Sequence, residues 1–253
     1  MRVYVYTLGC RLNQCESEAL ADSFVKNGFE VEKEYNGAEI TIVNTCTVTS
    51  KAEQKARRMI RLFSDKSEVV IVTGCYAEGS REEIENLGDN IVVFSLSEKA
   101  SILSLPQHIG NMVLSGMNAY NAVKSFKKSE RSVFSFDAHS FAYHSRAYLK
   151  IQDGCDNSCG YCRTTIARGK SVFLEPEIVV ERVKRLEEEG FHEVMLTGVN
   201  LTNYDHDGEG LGGVMEKILS ALGPDMRLRL SSMEPDHVDD RLLDAISDYR
   251  VFP

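Results

Sequence analysis

The sequence predicts an α/β protein in which a parallel-sheet α/β domain is followed by an incomplete (βα) barrel. Short β-rich runs alternate with helical periods along most of the 253 residues, and this alternation breaks once, between about residues 110 and 145. Strands separated by helices form parallel sheets with right-handed crossovers. We expect an α/β domain over residues 1–110, a linker over 111–145 and part of a barrel over 146–253.

The first domain begins with the strand VYVYTL, and a helix follows until Asn27-Gly28 ends it. The second helix has its apolar residues on one stripe at the helical period. Apolar spacing over residues 96–110 could dock on this domain, and an edge strand is possible within the linker at 132–136. The predicted strands span 3–8, 38–45, 68–74 and 90–95, and the helices span about 16–26, 50–64 and 80–87.

The second series starts at RAYLKIQ, and its first long helix has Pro176 near the beginning and Gly190 as the stop. Three βα units cannot close a barrel of six or eight, so this domain is expected to be truncated. Its strands span 146–152, 192–198, 227–232 and the start of another at 249–253, and its helices span about 175–189, 212–221 and 237–247.

Composition limits the class of protein. No run approaches 18 uncharged apolar residues, so no membrane span is expected, and MRVYVYTLGC is typical of a strand and not of a signal peptide. We therefore expect a cytoplasmic protein, in which the seven cysteines are free for metal binding or catalysis. The net charge of −9 disfavours generic nucleic-acid binding, so any contact with RNA needs a local basic patch or a part that is absent here.

Three cysteines follow predicted strands. Cys10, Cys46 and Cys75 come just after strands one, two and three. The carboxyl ends of parallel strands share one edge of the sheet, where ligands bind, so these thiols are expected to converge. The alternative is that each is a small core residue, which is the interpretation we adopt for Cys15.

Cys155, Cys159 and Cys162 form a second group within eight residues, after the first strand of the second domain. A structural zinc site needs a fourth ligand, and no Cys or His flanks this loop at a suitable spacing. A redox dithiol at Cys159 and Cys162 leaves Cys155 unexplained. A four-iron cluster fits better, because three thiolates leave one iron open to a small molecule.

The string CDNSCGYC resembles the CxxxCxxC loop of radical S-adenosylmethionine enzymes. TLGCRLNQCESEAL, VNTCTVTSKAEQKARRMIR, VTGCYAEGS, IQDGCDNSCGYCRTTIARGKS, LTGVNLTNY and RLRLSSMEP together resemble the methylthiotransferase family, in the right order over essentially the whole chain. The stretch after the third loop cysteine, Arg163 to Ile166, departs from the family's usual aliphatic or Pro-containing one. The family's remaining barrel strands and small RNA-binding β-domain have no counterpart in the chain.

The resemblance implies a fold, cofactors and site residues. It implies a radical S-adenosylmethionine partial barrel and two [4Fe-4S] clusters, one on Cys10, Cys46 and Cys75 and one on Cys155, Cys159 and Cys162. In the implied mechanism, one molecule of S-adenosylmethionine methylates sulfur at the first cluster, and a second supplies the radical that removes hydrogen from carbon. Contacts to the cofactor are expected from Tyr161, Gly198 and Glu234, with Tyr161 packed under the loop as the alternative.

The implied reaction adds a methylthio group to C2 of N6-threonylcarbamoyladenosine next to the tRNA anticodon. Within the family, the alternatives are isopentenyladenosine in tRNA and an aspartate of a ribosomal protein. A non-catalytic metal or redox binding module is the alternative of another class. The expected partners are tRNA and an electron donor such as flavodoxin or ferredoxin, and the expected state is a monomer.

Two groups of basic residues leave alternatives open. Lys51, Lys55 and Arg58 share one helical face, with Arg57 and Arg61 beside it, which suits either a solvated face or a contact to tRNA phosphates. Arg168-Gly169-Lys170 follows the second cysteine group and suits either a loop with exposed charges or a contact to substrate or cofactor.

Overall fold

The computed structural model describes residues 1–157 and 159–252 and divides into two compact units, Met1–Tyr143 and His144–Pro253. The α/β class and the parallel sheets predicted from the sequence are confirmed. In the described ranges, no helix is long and apolar enough to cross a membrane.

The first unit is a five-stranded parallel sheet between two layers of helices, with strand order β2-β1-β3-β4-β5. The strands are β1 (Arg2–Thr7), β2 (Glu30–Glu32), β3 (Ile40–Thr45), β4 (Val69–Gly74) and β5 (Ile91–Val93). The helices are α1 (Arg11–Lys26), α2 (Ser50–Ser64), α3 (Cys75–Gly79), α4 (Arg81–Glu85), α5 (Leu96–Lys99), a 3₁₀ turn at Ala100–Ser104, α6 (Leu105–Leu114) and α7 (Ala119–Ser125).

The sheet of the first unit is buried on both faces because its central strands are apolar throughout. Every residue of β3 and β4 is buried, and alternate side chains point to opposite faces. Ile40 and Ile42 face the layer that contains α1, while Val43 packs with the apolar stripe of α2 on the other face.

Two local differences from the sequence prediction have clear reasons. Strand β2 was not predicted, because EVE is short and polar; it forms by pairing along β1 at the sheet edge, where Arg2 contacts Glu32. Helix α1 starts at Arg11 and not at Glu16, because Cys10 occupies its N-cap position and the polar first turn carries no apolar period.

Residues 111–143 belong to the first unit and do not stand apart as the expected linker. Helix α6 continues to Leu114, α7 follows, and no strand forms at 132–136 within the described chain. Short apolar groups without a long period dock on the face that carries α1, which is why periodicity alone missed them. The buried ones are Ala119, Ala122, Val123, Phe136 and Ala138.

The second unit has a parallel sheet of order β13-β12-β9-β6, in which each strand lies beside the one before it in the series, as in a (βα) barrel. Strands β7 and β8 pair antiparallel, as do β10 and β11. The elements are β6 (Ala147–Lys150), β7 (Gln152–Asp153), α8 (Thr164–Arg168), β8 (Val172–Phe173), α9 (Pro176–Glu188), β9 (Glu193–Thr197), a 3₁₀ turn at Leu201–Asn203, β10 (Asp205–His206), β11 (Glu209–Gly210), α10 (Leu211–Ala221), β12 (Arg227–Leu230), α11 (Asp240–Ile246) and β13 (Val251–Phe252).

Candidate functional site

The first cysteine trio, Cys10, Cys46 and Cys75, lies at the carboxyl edge of the first sheet. Cys10 caps α1 after β1, Cys46 follows β3 directly, and Cys75 begins α3 after β4. The strand order reverses between β1 and β3, because β2 lies on the far side of β1. Ligands of open α/β sheets bind at such a switch point, in the crevice outside the carboxyl ends of the strands.

Two glycines bring the segments of the first trio together. Gly9 has φ +102°, and a Cβ on it would lie 2.6 Å from the Cβ and 2.7 Å from the Sγ of Cys46. Gly74 has φ +100°, and a Cβ there would lie 2.6 Å from the backbone nitrogen of Thr45. Gly9, just before Cys10, therefore contacts Cys46. Gly74, just before Cys75, contacts Thr45, which precedes Cys46.

The three thiols of the first trio are a donor set that fits an iron-sulfur cluster. Cys46 and Cys75 are buried and Cys10 is exposed. Within residues 1–157 and 159–252, no three His, Cys, Asp or Glu side chains are arranged to hold one metal ion. Each cysteine of a four-iron cluster binds a different iron, so the ligands of a cluster need not meet at one point, and thiolate is its usual ligand.

A buried polar network that no sequence motif indicated lies next to the first trio. The Asn13 amide donates to the carbonyls of Leu8 (2.8 Å) and Thr45 (3.0 Å), which ties the end of β1 to the end of β3. The Asn44 amide donates to the carbonyl of Asn13 (2.9 Å). The Lys99 ammonium donates to Asn44 Oδ1 (2.9 Å).

Lys99 completes this network through a salt bridge to Glu16 in which both side chains are 1% exposed. The signal in the sequence was the polar run RLNQCESE, which becomes a helix with most of its residues buried. Cys15 lies in the same helix and is buried, as expected of a core residue.

The second trio lies in the loop after β7. Cys155 is buried, Cys159 is exposed and Cys162 is half-buried. Ser158, inside the predicted motif, lies outside the described residues. Because Cys155 N donates to the carbonyl of Gly169 (3.1 Å), the two ends of the loop are held together.

Asp153 anchors the base of this loop. Its carboxylate accepts two hydrogen bonds from Arg168 Nη1 (3.0 and 2.9 Å) and one from Gly154 N (2.8 Å), and it forms a salt bridge with Lys150. The Arg168 side chain is 3% exposed. Arg168 is therefore not an exposed charge, because it neutralises a buried carboxylate 15 residues earlier, whereas Lys170 of the same segment is exposed.

The pKa of the Cys162 thiol lies below its ordinary value. The Thr164 hydroxyl hydrogen-bonds to its sulfur and lowers the pKa of the thiol, and the backbone N–H groups of Thr164 and Thr165 act in the same direction against partial burial. The thiolate is the form that binds metal. The start of α8 thus supports the ligand role predicted for Cys162.

The three residues predicted to contact the cofactor have different environments. Tyr161 is 91% exposed, so the alternative that it packs under the loop is wrong. Gly198 is buried, and a Cβ on it would lie 2.7 Å from Gln152 Oε1. Glu234 has an exposed side chain, and its backbone N–H donates to Asn200 Oδ1 (3.2 Å).

A cleft of about 670 Å³ opens at the carboxyl ends of β7, β9 and β12. None of the three residues predicted to contact the cofactor, Tyr161, Gly198 and Glu234, lines this cleft. Its walls come from the cysteine loop, the loop after β9, the start of α10 and the loop before α11, through Asp156, Asn157, Thr202, Asn203, Tyr204, Gly212, His237 and Asp239 among others. Its volume is in the range of small-molecule sites. Sequence motifs did not identify this cleft, because its walls come from separate segments of the chain.

The two units match two families. Residues 2–95 match the family described as "Uncharacterized protein family UPF0004", and residues 149–252 match the Radical SAM superfamily. The first match contains Cys10, Cys46 and Cys75, and the second contains Cys155, Cys159 and Cys162.

Curated relatives align over nearly the whole chain. The chain is 34% identical to the threonylcarbamoyladenosine tRNA methylthiotransferase MtaB of Treponema pallidum, with 99% of the chain and 64% of the relative covered. It is 35% identical to the protein of the same name from Thermotoga maritima, covering 96% and 54%. It is 29% identical to the tRNA-2-methylthio-N(6)-dimethylallyladenosine synthase of Porphyromonas gingivalis, covering 98% and 55%. The chain thus spans between about half and two thirds of the length of these relatives.

Solved structures share the fold. The radical S-adenosylmethionine methyltransferase TsrM from Kitasatospora setae, with cobalamin and a [4Fe-4S] cluster bound, superposes with a TM-score of 0.58 at 11% identity, over 99% of the chain and 59% of TsrM. The two family matches and the relatives at 34% and 35% identity agree with one another, and the chain belongs to the radical S-adenosylmethionine methylthiotransferase family.

Proposed function

We propose that the protein takes part in adding a methylthio group to C2 of N6-threonylcarbamoyladenosine next to the anticodon of tRNA. One observation carries the proposal: the two units each carry a cysteine trio, the first at the carboxyl edge of a parallel sheet and the second in the loop after β7. A single trio would account for radical chemistry alone. The presence of a second trio would account for the transfer of sulfur in addition.

Each trio would hold one [4Fe-4S] cluster, and S-adenosylmethionine would bind at the trio of the second unit, with contacts proposed from Tyr161, Gly198 and Glu234. When bound, these groups supply one-electron chemistry at an unreactive C–H bond and a site for the sulfur that is transferred.

The chain's own residues hold and shield these groups. The buried Asp153, paired with Lys150 and Arg168, fixes the base of the second loop. Burial of Cys46 and Cys75 excludes water from one side of the first trio, while the exposed Cys10 leaves the other side open to substrate. The cleft beside the second loop is large enough for a nucleoside.

The choice of substrate follows the names of the relatives at 34% and 35% identity, both threonylcarbamoyladenosine methylthiotransferases. Isopentenyladenosine in tRNA and a ribosomal-protein aspartate are the alternatives within the family. The proposal places the protein in the cytoplasm as a monomer, with tRNA as substrate and a flavodoxin or ferredoxin as electron donor.

The test is mass spectrometry of tRNA nucleosides from a strain that lacks the gene. We expect the 2-methylthio form of threonylcarbamoyladenosine to disappear and its precursor to accumulate. The wild-type gene and Cys15→Ala should restore the modification, whereas Cys46→Ala and Cys159→Ala should not. An unchanged nucleoside profile would reject the proposal, and loss of 2-methylthio-isopentenyladenosine instead would favour the alternative substrate.

Anaerobic reconstitution with iron and sulfide separates an enzyme from a non-catalytic metal or redox module. The proposal expects a brown protein that forms deoxyadenosine when it is reduced in the presence of S-adenosylmethionine. A colourless protein that holds zinc and does not react with the cofactor would support the binding module.

A further inference from the structure

The outer face of α2 carries four exposed cations, which we call the α2 stripe: Lys51, Lys55, Arg58 and Arg61. At 3.6 residues per turn these positions fall within about 120° of arc. The buried residues of the helix, Ala56, Ile60 and Phe63, lie on the opposite side and pack on the sheet. The four cations therefore form one continuous exposed row.

The α2 stripe is not neutralised by the protein. Among the described residues, no carboxylate forms a salt bridge with any of its four cations. Arg57, the remaining cation of the helix, is instead engaged with the Tyr76 hydroxyl (3.0 Å) and Glu83 (3.3 Å). Helix α2 contains five basic residues and one acidic residue, a net +4 in a chain of net −9.

The like charges of the α2 stripe lower the stability of helix α2. Like charges three or four positions apart on a helix destabilise it by about 0.2–0.5 kcal/mol per pair, and Lys51 in the first turn opposes the helix dipole. Helix α9 shows the usual alternative, because its exposed face mixes signs and Arg185 lies 3.7 Å from Glu189. A helix face that contacts only solvent does not require that all its charges have the same sign. The α2 stripe therefore indicates an anionic partner.

The chemistry of the stripe favours a phosphate backbone over an acidic protein. Protein interfaces have aromatic and apolar residues at their centre. From Lys51 to Arg61, the exposed residues are the four cations and the uncharged, polar Gln54. No aromatic residue lies along this row. The row is about 15 Å long at 1.5 Å per residue, which suits successive phosphates of one strand.

We propose that the α2 stripe binds the phosphate backbone of the tRNA substrate beside the first cysteine trio; this inference rests on the proposed function. Three residues separate Cys46 from the start of α2, and the Thr47 hydroxyl is hydrogen-bonded to the Glu53 carboxylate, which fixes this short connection. The stripe therefore begins at the sheet edge where the trio lies.

The test compares the wild-type protein with the double variant Lys55→Glu/Arg58→Glu. Affinity for fluorescently labelled tRNA, purified from the strain that lacks the gene, is measured by anisotropy over a range of salt concentrations. We expect the variant to bind about tenfold or more weakly and its salt slope to fall by about 2, because two phosphate contacts are lost. Iron content and melting temperature should not decrease, since two of the three like-charge pairs along the stripe become opposite-charge pairs.

The matched control is Lys33→Glu/Lys184→Glu, two exposed lysines outside α2 that give the same change in net charge. It should bind tRNA as the wild type does. Equal tRNA binding by the Lys55→Glu/Arg58→Glu variant and the wild type would overturn the inference while leaving the proposed function intact. Unchanged tRNA affinity with slower reduction by a flavodoxin would assign the stripe to an acidic protein. Absence of tRNA binding by the wild type would reject both proposals.

Discussion

At the scale of single residues, Gly9 and Gly74 set how closely the strand ends approach at the first trio. Each has a positive φ, and each faces backbone or cysteine atoms at distances that a Cβ would not tolerate. The cysteines can therefore come together only because the residue before Cys10 and the residue before Cys75 have no side chain.

Gly9→Ala should destabilise the first unit and disturb the first trio. The substitution adds positive-φ strain of about 1–2 kcal/mol to a clash with Cys46. We expect a lower melting temperature and a loss of about half of the bound iron, as two clusters would share it equally.

Gly28→Ala is the matched control, since Gly28 has φ +81° but no atom within 4 Å of the added Cβ. It should lower the melting temperature through strain alone and leave the iron content unchanged. Equal iron loss in both variants would contradict the steric role of Gly9.

Lys99 and Glu16 depend on each other because both are buried. Lys99→Met should destabilise the protein by about 3–5 kcal/mol, since it leaves a buried carboxylate without its counter-charge. The double variant Lys99→Met/Glu16→Leu should recover at least about 2 kcal/mol, because replacing both partners costs less than removing one. Urea unfolding followed by circular dichroism measures both.

Lys66→Met, at an exposed lysine, serves as the control and should change the free energy of unfolding by less than about 0.5 kcal/mol. A double variant less stable than Lys99→Met would show that the network is not built on this pair.

At the scale of elements, α1 connects the first trio to the end of the first unit. Cys10 occupies its N-cap, and two buried carboxylates farther along hold the segment 139–143. Glu18 accepts from Ala142 N (2.7 Å) and Tyr143 N (3.2 Å). Asp22 accepts from His139 N (3.1 Å) and the Ser140 hydroxyl (2.6 Å).

The contacts of Asp22 predict that the attachment of segment 139–143 to α1 weakens at low pH. Burial favours the neutral acid, but the bonds from Lys26, Ser140 and His139 together outweigh burial and lower the pKa of Asp22. A lowered pKa in the folded state stabilises the fold above the unfolded value of about 4, and this contribution is lost as pH falls through the folded pKa.

Asp22→Asn should therefore cost about 1–2 kcal/mol at pH 7, and the difference from the wild type should shrink as pH falls below about 4. Urea midpoints at several pH values measure this, with the exposed Asp65→Asn as a control that changes stability little. Hydrogen exchange should also be faster at the amide of His139. A difference that does not vary with pH would contradict the ionic role of Asp22.

At the scale of the whole molecule, the two units carry separate trios with separate supports. Asn13, Asn44 and Lys99 support the first trio, and Asp153 with its two cations supports the second. The contacts described for each network join residues of one unit, so we expect each cluster to form without the other.

Cys46→Ala should keep about four irons of about eight and still form deoxyadenosine from S-adenosylmethionine. Cys159→Ala should keep the same amount of iron but form no deoxyadenosine. Iron analysis and chromatography of the products distinguish the two variants. Loss of all iron in either variant would show that the trios are not independent.

The sequence by itself determined the α/β alternation and the position of each cysteine relative to its strand, because periodicity records which face of an element is buried. Only the tertiary structure decided the strand order that reverses between β1 and β3, the pairing of Asp153 with Arg168, and the docking of residues 111–143. A buried charge or a short apolar segment takes its partner from distant parts of the chain, and no local pattern specifies that partner.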